Sequence, residues 1–196
     1  MSVDRSALPA RDRILLTAHD LFYREGIRAT GIDLIIRQAG VTKVTFYRHF
    51  ASKNLLVSAF LDYRHERWMT WFEAKLAQEM DACAGDFPLA LTATLAEWFE
   101  SEDFRGCAFI NSALEFSEPL PQVLDIAASH KQQMADAIAA CLPESAERAF
   151  SAQAIAMITD GAIVTAQINR NIPQVLSMLK ATLVAFTGQP PAVQRP

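Results

Sequence analysis

Two glycine stops and three hydroxyl caps divide the first 55 residues into four helical segments, joined too closely to fold as anything but one packed head. Ile14, Leu15, Ala18, Leu21 and Phe22 recur at the spacing of a helix with one buried face. Gly26 is the expected C-cap of that helix. Thr30, followed three residues later by Asp33, has the form of a capping box and is expected to open a short second helix through Ile32, Ile35, Ile36 and Ala39. Gly40 stops it after about two turns. Thr42 is the expected N-cap of a third short helix, Lys43–His49, and Ser52 that of a long fourth helix starting at Lys53.

From Leu55 the pattern stays helical to about Met80, with Leu56, Ala59, Phe60, Tyr63, Trp71 and Phe72 on or near one stripe, and MDACAGD reads as a loop. Pro88 suits the first turn of a helix reaching about Glu100. Gly106, the pair Pro119 and Pro121, Pro143 and Pro173 punctuate four further helical segments. No stretch alternates with period two. The expectation is therefore an all-α chain of about nine helices: an N-terminal three-helix domain over residues 1–55, a helical C-terminal domain over 56–188, and a disordered tail at 189–196.

Charge separates these two parts. The chain carries 18 Lys+Arg and 22 Asp+Glu, a net charge of −4. Residues 1–55 hold nine basic and five acidic residues, a balance of +4, which leaves −8 for the remainder. A basic head on an acidic body fits a nucleic-acid partner for the head. Gly40 allows the turn between two short helices, and Val41 offers an apolar plug between them, as in a helix-turn-helix. In that motif the second short helix enters the major groove. Lys43, Thr45, Tyr47, Arg48 and His49 place donors along it, while Phe46 and Phe50 anchor it. Cationic and hydroxyl groups serve phosphates; Lys43 and Thr45 are in place for base edges.

Other functions find little support. No GxSxG, Gly-rich phosphate loop or paired metal-ligand motif is present, and His65-Glu66 lacks the second His of HExxH. An enzyme, a cofactor and a metal are therefore not expected. The longest charge-free stretch, Ala181–Gln194, is short and broken by Gly188, Pro190 and Pro191, so no transmembrane helix is expected. The opening residues have no apolar core of a secretion signal, which points to the cytoplasm. Cys83, Cys107 and Cys141 are widely spaced and read as reduced, buried thiols.

Residues 11–56, above all AGVTKVTFYRHFASKNLL from Ala39 to Leu56, resemble the DNA-binding domain of the TetR family. The resemblance implies phosphate contacts from Tyr47 and Lys53, support of the recognition helix's end by His49, and a groove-facing set from Lys43 through Val44 to Thr45. Arg28, Thr30, Thr42 and Arg48 complete the candidate DNA-binding residues. Two positions depart from the family pattern: Ile36 stands for a small Ala, and Val44 for a Gly or small residue, where it can meet a thymine methyl. A helical interaction module without DNA affinity is the alternative that Ile36 raises.

The resemblance further implies a repressor, released from operator DNA by a small-molecule effector. Segments 145–168 and 172–186 are apolar around most of their circumference and need cover on both sides, so they are expected to form a two-fold homodimer interface. Two-fold symmetry predicts a pseudo-palindromic operator read by helices about 34 Å apart. An effector pocket among the middle helices is implied. Its candidate walls are Trp68, Trp71, Phe72, Phe99 and Phe109, with Asn111, Glu115 and Asp160 as polar groups set in apolar runs. The same aromatics also read as plain core, the same polar groups as structural hydrogen-bonders, and His130 as a solvated helix residue. The long fourth helix, from Lys53 to Trp71 and beyond, is the expected mechanical link.

Overall fold

The computed structural model describes residues 5–115 and 121–188. Among them every regular element is an α-helix, nine in all: α1 (Ala10–Glu25), α2 (Ile32–Ala39), α3 (Lys43–His49), α4 (Lys53–Ala82), α5 (Phe87–Phe99), α6 (Ala108–Glu115), α7 (Pro121–Ala140), α8 (Arg148–Asn169) and α9 (Ile172–Thr187). The all-α expectation holds. Pro119 and the tail at 189–196 lie outside the described residues.

The stops and caps explain the short head helices. Gly40 takes a left-handed φ of 63°, and the amides of Gly40 and Val41 return to the carbonyls of Arg37 and Ile36, closing the end of α2. Thr42 Oγ1 accepts the amide of Thr45 at 3.2 Å, and Ser52 Oγ accepts that of Leu55 at 3.2 Å, so both predicted caps form. The capping box at Thr30 does not. Gly31 is the N-cap of α2, and Thr30 instead donates its hydroxyl to the carbonyl of Gly26 at 2.7 Å, knitting the loop between α1 and α2. At its other end α4 runs on to Ala82, leaving Cys83–Asp86 as the connection to α5.

The described residues form two compact units. The first joins the chain up to Arg67 with the stretch from Ala108 to Ala128, and the second joins Trp68–Cys107 with the chain from Ser129 onward. The first unit thus reaches past residue 55. Leu56, Val57, Phe60 and Leu61 of α4 are all buried, completing a core with Ile14, Ala18, Phe22, Ile35 and Phe46. Phe22 and Phe60 meet edge to face at 5.5 Å. Each such side chain contributes about 1.5–3 kcal/mol by leaving water.

In the second unit α5 and α8 both pack on α9. Phe72, Leu76, Leu91, Leu95, Ile138, Ile155, Leu179 and Leu183 are all nearly or wholly inaccessible. Helix α8 is long and apolar enough to cross a membrane. Its Ala152, Ile155, Ala156, Thr159, Ile163 and Ala166 are buried within the unit and its Asp160 is ion-paired to Lys131, which suits a core helix of a folded domain better than a lipid-facing one.

Candidate nucleic-acid interface

Helix α3 divides cleanly into an inner and an outer side. Phe46 is fully buried and Phe50, just past the C-terminus, nearly so. Lys43, Val44, Tyr47, Arg48 and His49 are exposed, Val44 at 72% and Tyr47 at 42%. Thr45 is half-buried, its hydroxyl shared with that of Thr42 at 2.9 Å. A two-turn helix held by two aromatic anchors, with a bulky valine fully presented, is an exposed reading surface with no internal partner for Val44. No carboxylate occurs between Asp33 and Asp62, a stretch that carries Arg37, Lys43, Arg48 and Lys53. Phosphate approaching α3 therefore meets cations with no carboxylate adjacent to them in sequence.

Lys53 opens α4 with its ammonium 6.0 Å from the Phe22 ring centroid. Partial burial lowers its pKa, opposed by the negative charge of Glu115. A partly desolvated cation at the edge of the head is suited to a phosphate. Arg11, which the sequence reading missed, lies over the Phe50 ring at 5.4 Å and adds a cation from α1. Its position relative to α3 depends on tertiary packing and leaves no local pattern.

Comparison with known proteins agrees with this geometry. Residues 14–60 match the model of the family described as bacterial regulatory proteins, tetR family. The HTH-type transcriptional regulator UidR of Escherichia coli K12 is 30% identical over 71 residues, 36% of each chain. TtgR of Pseudomonas putida, also an HTH-type transcriptional regulator, is 40% identical over 60 residues, 31% of this chain and 29% of its own. The crystal structure of SCO4454, a TetR-family transcriptional regulator from Streptomyces coelicolor, superposes with a TM-score of 0.76 at 28% identity, covering 91% of this chain and 94% of that one. Residues 14–60 thus match a TetR-family DNA-binding domain.

The chain matches about a third of the length of these curated relatives. The curated relatives matched over that stretch are named as HTH-type transcriptional regulators. Two of the expected DNA contacts sit differently from the rest. Thr30 is 1% exposed and its hydroxyl is engaged by Gly26, so it shapes the loop and cannot touch DNA. Arg28 is exposed, but its Nη1 donates to the backbone carbonyl of Glu115 at 3.1 Å, on the side of α6. Ile36 is half-buried, and α2 still packs on both α1 and α3 around it.

The eight expected pocket residues are dispersed between the chain's two units. In the first unit, Glu115 is a structural group: its Oε2 accepts the amide of Ile27 at 2.8 Å, which corrects its assignment to a pocket wall. Phe109 is buried, its ring 6.4 Å from that of His65, and Asn111 is half-buried. In the second unit, Trp68 stacks on Phe72 at 4.6 Å and meets Trp71, Trp98 and His130 at 6.0, 5.6 and 5.1 Å. Phe99 joins through Trp98 and Phe104. These rings fill space against one another. His130 is 2% exposed, a core residue and not a solvated one.

Trp71 has its indole N–H on Glu97 at 2.9 Å, and Glu97 also pairs with Lys75. Asp160 is paired with Lys131, yet burial raises its pKa against that attraction. Its partner is therefore internal, which favours the structural reading of Asp160. A groove of about 430 Å³ lies elsewhere in this unit, lined by Glu73, Leu76, Gln133, Asp136, Ala137 and Cys141 among others. Burial holds the Cys141 thiol above its ordinary range, and burial with the charges of Glu79 and Asp86 does the same for Cys83. Neither has the low pKa of an activated thiol.

Proposed function

We propose that this chain is a cytoplasmic homodimeric repressor of the TetR family that holds a pseudo-palindromic operator and leaves it when a small-molecule effector binds. The observation that carries DNA binding is the outer face of α3, where Lys43, Val44, Tyr47, Arg48 and His49 are exposed in a stretch of sequence, residues 34–61, that holds no carboxylate. Arg48, Tyr47, Lys53 and Arg11 serve phosphates; Lys43, Val44 and Thr45 serve base edges.

Dimerisation is supported by the surface of α8 and α9. Phe150, Met157 and Ile168 are 70–72% exposed and fall on one stripe of α8, seven and eleven residues apart, opposite its buried face. Met178 and Phe186 of α9 are also exposed. Apolar side chains this bare on consecutive helices suit a second copy.

An effector is supported by one unsatisfied group. Trp68 is 7% exposed and its indole N–H, inside the aromatic cluster, has no acceptor among the described residues. A planar ligand with an oxygen acceptor would satisfy it. Trp68→Phe is then expected to change Tm little, since removing an unpaired buried donor offsets about 1–3 kcal/mol of lost ring packing. The same variant is expected to lose the release of DNA by the effector; a retained response overturns the role of Trp68. Release itself follows if effector binds better to the form whose paired heads no longer match the operator.

The test is binding to the DNA upstream of the chain's own gene, at two salt concentrations. Wild type is expected to bind tightly and lose affinity as salt rises. Tyr47→Ala and Lys53→Ala weaken binding, and Lys53→Ala lowers the log–log salt slope by about one. Wild-type protein that binds no DNA overturns the reading.

A further inference from the structure

A second group of cations in the first unit has no part in the outer face of α3. They line a cleft of about 350 Å³ walled by Arg5, by Arg13, Thr17, Asp20 and Arg24 of α1, and by Gln38 of α2. The four α1 residues recur at helical spacing and share one face of that helix. Three guanidiniums thus meet one carboxylate, and that carboxylate is already engaged. Asp20 pairs with Arg5 at 2.8 Å and accepts from Nδ1 of His19 at 3.0 Å. Among the described residues Arg13 and Arg24 form no ion pair. Arg13 is also under-bonded. Its Nη1 and Nη2 donate to the carbonyls of Ser6 at 3.2 Å and Gly40 at 3.5 Å, both longer than the usual distance. Its Nε–H is buried with no acceptor among the described residues.

We propose that this cleft is a phosphate-binding site, in which Arg13 and Arg24 hold the oxygens and the Gln38 side-chain amide adds a neutral donor. A guanidinium presents up to five donors in a planar fork that matches an oxyanion, and Arg13 has neither a counterion nor a full set of acceptors. The volume lies near the low end for small-molecule sites, which suits a compact phosphate ester better than a bulky apolar ligand. The cleft also includes Gly40, two residues before the N-cap of α3. The phosphate therefore belongs either to a free ester or to a DNA backbone lying against that turn. Both offer the same oxygens to the same donors. The site does not depend on the DNA-binding reading; only the second source does.

The test titrates the full-length chain with inorganic phosphate, replacing chloride at constant ionic strength, and follows the arginine Nε–H resonances. Wild type is expected to saturate with a Kd on the order of 1 mM, the Arg13 Nε–H shifting as it gains an acceptor. Arg24 is exposed, so Arg24→Gln leaves the fold intact and is expected to weaken phosphate about tenfold, the loss of one charged hydrogen-bond partner. Arg13→Gln weakens it at least as much. Asp20→Asn is expected to tighten it by removing the one carboxylate, a gain that damage to the fold would not produce. Salt titrations of the same variants on the upstream DNA and on an unrelated duplex identify the source. A log–log slope shallower by about one in Arg24→Gln assigns the phosphate to DNA, and a wild-type slope with weakened phosphate binding assigns it to a free ester. Phosphate saturation that neither arginine variant weakens overturns the site, as does no saturation together with wild-type slopes. A chain that binds neither duplex overturns the DNA-binding reading alone, and the phosphate titration then decides the site by itself.

Discussion

A chain carrying Met157→Glu and Ile168→Glu is expected to run as a folded monomer that no longer holds operator DNA. Both side chains are 72% exposed on α8, so within one copy they contribute almost nothing to the core, and charging them leaves the fold intact. Across a two-fold interface the arithmetic differs. Each substitution is present twice, so four carboxylates enter one apolar contact, each facing an uncompensated desolvation cost of several kcal/mol. Mass by light scattering should fall to about half that of the wild type with helical circular dichroism unchanged. Operator affinity should fall by roughly 10²–10⁴, the advantage of binding two linked half-sites at once. A variant that stays dimeric would move the interface off this stripe.

The distribution of exposed and buried side chains on α8 was partly legible in the sequence. Its all-round apolar character demanded two coverings, and the structure supplies one through Ile155, Thr159 and Ile163 and leaves the Phe150, Met157 and Ile168 side bare. Glycine stops and hydroxyl caps were equally legible, because a cap acts over three or four residues: Gly40, Thr42 and Ser52 do as their spacing predicts. Thr30 shows the limit of that logic. Its spacing to Asp33 fits a capping box, but the same hydroxyl reaches the Gly26 carbonyl one loop earlier, and nothing in the local pattern ranks the two acceptors. Contacts between distant segments left no trace. Glu115 on Ile27, Arg11 on Phe50 and His130 against Trp68 each depend on which helices become neighbours. The polar residues set in apolar runs were a sound signal that partners exist; for Asp160 and Glu115 the partners are internal.

Phe46→Ala is expected to abolish DNA binding through stability, whereas Val44→Ala should act through recognition alone. Phe46 has no exposed surface, and its ring meets those of Tyr47 at 5.3 Å and Phe50 at 6.4 Å. Truncating it removes about 3–5 kcal/mol, a large share of the roughly 5–15 kcal/mol that a domain has in hand. Helix α3 has seven residues and cannot persist without that anchor, since isolated helices shorter than about 12 residues are marginal in water. Thermal unfolding should drop by roughly 10 °C and fluorescence anisotropy should detect no operator complex. Val44, by contrast, is 72% exposed on the same helix, so its truncation should leave Tm unchanged and alter discrimination at one base pair by about 1–3 kcal/mol. Equal loss of stability in the two variants would mean that α3 is not held by its inner face, and the division of that helix into an anchor side and a reading side would fail with it.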